Sequence, residues 1–164
     1  MIAEPRATLD VDIVASMREA DIPCLLRMLG DEFYADESAI RRAVQRRSSV
    51  NIIHQHTTIK LDLFIAGGTP LDDQQLNRRR RVQVGPAPED CLYFHTPEDI
   101  LLQKLRWYRM GGERSDRQWR DVIGIVFAQT GRLDTEYLRA HAGTLAVADL
   151  LERALRSHGG PANP

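Results

Sequence analysis

Apolar and polar positions alternate with period two across residues 6–14, where Leu9, Val11 and Ile13 are apolar and Asp10 and Asp12 fall between them. That alternation predicts a half-buried strand, with both aspartates on one face. Asp21, Ile22 and Pro23 then open a short helix carrying Leu25, Leu26 and Met28, which Gly30 ends. Residues 36–47 place Ala39, Ile40, Ala43 and Val44 on one helical stripe, with arginines elsewhere. Two strand-like runs follow at 50–54 and 58–65, joined as a hairpin by a few polar residues. Gly67, Gly68 and Pro70 break the chain; Val82, Val84, Leu92 and Phe94 then mark two more short strands around a proline-rich turn.

Beyond residue 95 the period becomes helical. Thr96-Pro97-Glu98-Asp99 is a start signal, with a capping hydroxyl, proline in the first turn and acids near the positive helix end. Helices are expected over 97–110, 114–129, 134–141 and 145–157, punctuated by Gly111-Gly112 and Thr130-Gly131, and a Gly/Pro-rich tail frays after Ser157. This order predicts an α+β protein: a mixed-sheet core over 1–95, a helical region over 96–157 and a flexible tail over 158–164.

Composition narrows the picture. The 164 residues are 43% hydrophobic, enough for a buried core, and carry a formal charge of −1, which gives no blanket attraction to nucleic acid. No apolar run approaches the roughly 20 residues a membrane helix needs. Without a signal-peptide pattern, and with only Cys24 and Cys91, the chain is expected in a reducing cytoplasm, with no membrane partner. Of its 22 basic residues only Lys60 and Lys104 are lysines.

Those lysines sit among the candidate chemistry. Like charges on one strand face repel unless a cation lies between them, and hard ions such as Mg²⁺ prefer carboxylate oxygens. Asp10 and Asp12 are therefore either a metal-binding pair or acids on an exposed strand face. Asp62 shares a face with Lys60 and Phe64 in the run 59–65, and would join the pair as a third carboxylate if its strand lay beside the first. Otherwise Lys60 and Asp62 form a surface ion pair of little worth. Lys104 falls inside the apolar stripe Ile100, Leu101, Leu105, Tyr108, so it either snorkels to the edge or meets an acid or a phosphate, with Asp121 on the next helix able to orient it. His54-Gln55-His56 fits a hairpin end better than a metal pair, Arg78 to Arg81 a solvated basic run better than an RNA contact, and Trp107 and Trp119 helix packing better than base stacking.

Four segments together resemble the nucleotidyltransferase-like proteins of the DNA polymerase β type, most closely the bacterial subgroup related to the AbiEii toxin. They are the run from Pro5 to Ile13, that from Ile59 to Phe64, Thr96 to Leu105 with its Pro-Glu-Asp start and Lys104, and Arg117 to Ile123 with Asp121. The resemblance spans roughly residues 4 to 157. It implies a nucleotidyltransferase core, with Asp10, Asp12 and Asp62 as catalytic and metal-binding carboxylates, and Arg6, Thr8, Lys60, Lys104 and Asp121 near the nucleotide. It also implies Mg²⁺ (or Mn²⁺) and transfer of a nucleoside monophosphate from an NTP to an RNA (tRNA) or protein acceptor. Some similar proteins are toxins, so an antitoxin partner is a further expectation, and the C-terminal helices suggest a homodimer. Family members carry a Gly-Ser turn and helix upstream of the first strand, where backbone N–H groups hold the triphosphate. Here only nine residues precede Asp10 and no Gly-Ser occurs. The alternative expectation is a non-catalytic nucleotide-binding or regulatory protein of the same fold.

Overall fold

The alternating run around Asp10 forms strand β1 (Asp10–Ser16) in the computed structural model, which describes residues 10–66 and 68–159; for residues 10, 158 and 159 it describes the backbone alone. The short helix is α1 (Ile22–Leu29), which ends at Gly30 with φ 56°, a value that favours glycine. Strand β2 (Phe33–Tyr34) follows, then α2 (Glu37–Arg46), whose N-terminus is capped by the Asp36 carboxylate accepting from the Ala39 N–H at 3.1 Å. The expected hairpin is β3 (Ser49–His54) and β4 (Lys60–Ala66). His54 and His56 do lie at its turn end, where the His54 ring meets the Thr57 hydroxyl at 2.7 Å.

The sheet order is β1-β4-β3-β2, with β1 parallel to β4 and the other pairs antiparallel. Leu63 and Ile65 face a core that includes Ile22, Ile40, Ala43, Val44 and Ile52, supplied by α1, α2 and β3. Burying each such aliphatic side chain contributes about 1.5–3 kcal/mol. The opposite face of the sheet carries Asp12, Lys60, Asp62 and Asn51.

Pro70 does more than break the chain. It opens helix α3 (Pro70–Arg78), because the Thr69 hydroxyl accepts from the Asp72 N–H at 3.2 Å while the Asp72 carboxylate accepts from the Thr69 N–H at 2.9 Å. The pattern of hydrophobic positions does not reveal this reciprocal cap, with proline at the first helical position.

Strands β5 (Arg80–Gln83) and β6 (Cys91–Phe94) pair as an antiparallel ribbon. The C-terminal helices are α4 (Pro97–Met110), α5 (Asp116–Ala128), α6 (Thr135–Ala142) and α7 (Ala148–Gly159), capped at their starts by Thr96, Ser115 and Asp134 for the first three. Their core holds Leu101, Leu102, Leu105, Val122, Val126, Leu138, Leu150 and Leu151. The buried stripe of α4 runs through Leu101, Leu102, Leu105 and Tyr108, whereas Ile100 is 38% exposed. Ile100 therefore does not belong to the stripe expected from sequence; Leu102 does. The shift puts Lys104 at the edge of the buried face.

The chain divides into two compact units, residues 1–74 and 75–164, each with its own core, so the β5–β6 ribbon belongs with the helices. The protein is an α+β fold with a four-stranded mixed sheet. Among the described residues no helix is long and apolar enough to cross a membrane.

Candidate active site

Fifty residues separate Asp12 from Asp62 in the chain, and the parallel β1–β4 register makes them direct Cα partners. Asp10 is the partner of Lys60 in the same ladder. Partners in register share a face of the sheet, and residues two apart on a strand share it too. The antiparallel β3–β4 register then sets Asn51 opposite Asp62, so Asp12, Asp62 and Asn51 form one row across three strands. Sequence reasoning does not single out Asn51. Its only local signal is its position between the buried Val50 and Ile52.

The charges within this row are arranged unevenly. Lys60 Nζ lies 3.2 Å from Asp62 Oδ2, with the two side chains 38% and 20% exposed. The other oxygen, Asp62 Oδ1, is buried and has no hydrogen-bond partner among the described residues. A buried carboxylate oxygen without a donor is costly unless something else meets it. Asp12, directly opposite, is exposed at the edge of the sheet and makes contacts of its own. Arg6 and Thr8 lie outside the described residues, as does the side chain of Asp10.

Hard oxygen donors facing one another, one of them buried and without a donor, fit a divalent cation such as Mg²⁺ or Mn²⁺. Among the described residues no three His, Cys, Asp or Glu side chains are gathered as a metal site. Asp12 and Asp62 are the two described carboxylates of the expected three.

Lys104 and Asp121 belong to the second unit. Lys104 Nζ donates to Asp121 Oδ2 at 3.2 Å, and the side chains are 30% and 35% exposed. A helical lysine at the edge of a buried stripe can extend its alkyl stem over the apolar face and keep its ammonium at the surface. The pair lines a cavity of about 350 Å³ together with Trp107, Ser115, Arg117 and Gln118. Trp119 instead packs on Tyr108, ring centroids 5.2 Å apart, under the Arg153 guanidinium.

A second polar cluster shows in the sequence only as helix-start chemistry. Asp99 is fully buried, and its carboxylate accepts from the Thr96 hydroxyl at 2.8 Å and the Tyr137 hydroxyl at 2.7 Å. Arg78 Nε lies 3.8 Å from Asp99, and the guanidinium stacks 3.8 Å from the centre of the Tyr137 ring. Glu98 is buried beside them and accepts from the Asp134 N–H at 3.1 Å. Burial pushes the Glu98 carboxyl up, but hydrogen bonds from the backbone and Thr96, with Arg78 nearby, bring it below the usual range. Burial and the Asp99 hydrogen bond push the Tyr137 phenol well above its ordinary value. Burial lowers His95, more than the neighbouring Asp99 charge raises it. Asp99 has both oxygens met by hydroxyl groups, while Arg78 Nε and Glu98 Oε2 are held, among the described residues, only by ion pairs of 3.8 and 4.0 Å. The cluster ties Arg78 to α4 and the start of α6 within the second unit.

No protein-family model matches the chain, and no curated protein matches it.

Proposed function

We propose that the protein is a metal-dependent nucleotidyltransferase with a polymerase-β-type core, similar to the AbiEii-related proteins. It moves a nucleoside monophosphate from an NTP to a hydroxyl of an RNA or protein acceptor. The observation that carries this is the row in which Asp12 lies opposite Asp62, with Asp10 two residues earlier on the same strand and Asp62 Oδ1 lacking a donor among the described residues.

In the transfer, the acceptor oxygen attacks the α-phosphorus and forms the new phosphodiester bond. The bond from that phosphorus to the oxygen bridging the β-phosphate breaks, and pyrophosphate departs with the electron pair. Asp62 takes the proton of the acceptor hydroxyl, and Lys60 at 3.2 Å fixes the direction of that carboxylate beforehand. Asp12, with Asp10, would hold Mg²⁺ or Mn²⁺ together with Asp62. When bound, such an ion neutralises phosphate charge and stabilises the charge that develops during transfer. Asn51 presents an amide that can hydrogen-bond the acceptor or the sugar.

The test is incubation with Mg²⁺, each α-labelled NTP in turn, and bulk tRNA or cell lysate. Label transfer that disappears in Asp12→Asn and Asp62→Asn supports the proposal. Tight NTP binding without transfer would favour a regulatory, non-catalytic role, and transfer unaffected by either substitution would reject the assigned site.

A further inference from the structure

In the β5–β6 ribbon, two successive cross-strand pairs each set an arginine opposite an aromatic ring: Arg80 with Phe94, and Arg81 with Tyr93. Successive pairs project to opposite faces, so each face of the ribbon carries one such pair. Arg79 adds a third guanidinium, 4.8 Å from the centre of the Tyr93 ring. All five side chains are exposed, with Tyr93 at 58% and Phe94 at 47%. Val82 and Leu92 beside them are exposed as well. A two-stranded ribbon is marginal alone in water, and exposed aromatic and aliphatic side chains of this density mark a binding surface.

Charge decides the class of partner. Arg79, Arg80 and Arg81 are consecutive cations in a chain whose net charge is −1, so their field is local rather than general. An acidic protein would satisfy the guanidinium groups but has no special need of two exposed rings interleaved with them. Single-stranded nucleic acid needs both: phosphates for the arginines, and unstacked bases that lie on aromatic faces or on guanidinium planes.

We propose that the Tyr93 face of the β5–β6 ribbon is a docking surface for single-stranded RNA, with a base stacking on Tyr93 and phosphates paired by Arg79 and Arg81. Arg81 also holds the ribbon's own shape, since its Nη2 donates to the Pro88 carbonyl at 2.8 Å and braces the turn between the strands. The choice of RNA over DNA rests on the proposed transfer to an RNA acceptor; the stacking and charge geometry does not.

The test is fluorescence anisotropy of the full chain with a labelled single-stranded RNA oligomer, without NTP or divalent cation, at several salt concentrations. Wild type should bind with salt-sensitive affinity. Tyr93→Ala should weaken binding about tenfold and Tyr93→Trp should restore it, since stacking tolerates any aromatic face. Arg79→Ala should reduce the slope of log K against log salt by about 0.7, the contribution of one phosphate on a single strand. Circular dichroism melts of these surface variants should match wild type.

No salt-sensitive binding at protein concentrations up to roughly 10⁻⁴ M, the range of non-specific association, overturns the proposal. So does binding that Tyr93→Ala leaves unchanged, tighter binding of duplex RNA or of the matching DNA oligomer, or a reversible dimer abolished by Leu92→Ser in place of RNA binding. RNA binding by a protein that transfers no label would reject the proposed function and leave this surface standing. Transfer to RNA with no ribbon-dependent binding would do the reverse.

Discussion

Asp62 and Asp99 are both carboxylates largely withdrawn from water, in opposite settings. Asp99 is fully buried, and both oxygens accept from hydroxyl groups, with the Arg78 guanidinium close by. Asp62 keeps one oxygen against Lys60, while the other is buried without a donor among the described residues and lies on a face where Asp12 is its direct partner. A carboxylate whose acceptors are all met by the protein has become part of the scaffold. One that faces a like charge with an acceptor left over is disposed toward something the described residues do not supply.

The sharpest break of the comparison is therefore in stability. Asp99→Ala strands Arg78 and two hydroxyl groups in the second core, and should cost about 3–5 kcal/mol in chemical denaturation, as loss of one partner of a buried charged network does. Asp62→Asn should leave the fold within about 1 kcal/mol of wild type, since it loses only a partly exposed ion pair and relieves repulsion with Asp12. Its effect should fall on label transfer, slowed at least about 10²-fold by removal of the general base.

Smaller effects sharpen the contrast. Tyr137→Phe removes one hydrogen bond to a buried charge and should cost about 1.5–3 kcal/mol. It should also change the alkaline limb of the stability curve. The unfolded phenol ionises near its ordinary pKa of about 10, whereas the folded one holds its proton to higher pH. The raised folded pKa gives stability that is fully present below about pH 10 and falls as pH rises beyond it. Phenylalanine should flatten that limb in melts taken from neutral to alkaline pH. Glu98, lowered in the folded state, works in the other direction: its contribution is present at neutral pH and is lost as pH falls below the carboxylate range. Lys104→Met, last in size, loses only a partly exposed ion pair with Asp121 and should change stability by less than about 1 kcal/mol in chemical denaturation.

Much of the fold can be read locally, because its signals are local. The alternation of β1, the stripe of α2, the hairpin of β3 and β4, and the Thr96 cap each depend on residues a few positions apart. Helix α3 escapes such a reading because Gly68 and Pro70 look like breakers, while the reciprocal Thr69–Asp72 cap that makes Pro70 a helix start is an equally short pattern. The buried cluster escapes it for a different reason. Tyr137 meets Asp99 across 38 positions and Arg78 comes from another helix, and no periodicity encodes such contacts. In the candidate site, the types and faces of Asp12 and Asp62 are legible but their adjacency is not, because pairing of distant parallel strands is set by the whole sheet. Asn51 enters only through that pairing.

The central claim is that the Asp12–Asp62 face performs chemistry rather than holding the fold. Measuring Mg²⁺-dependent label transfer and thermal melting on the same preparations of wild type and Asp62→Asn tests it most directly. The account predicts transfer reduced at least about 10²-fold with an unchanged melt. Wild-type transfer by Asp62→Asn, or a loss of transfer only in proportion to unfolded protein, would contradict it.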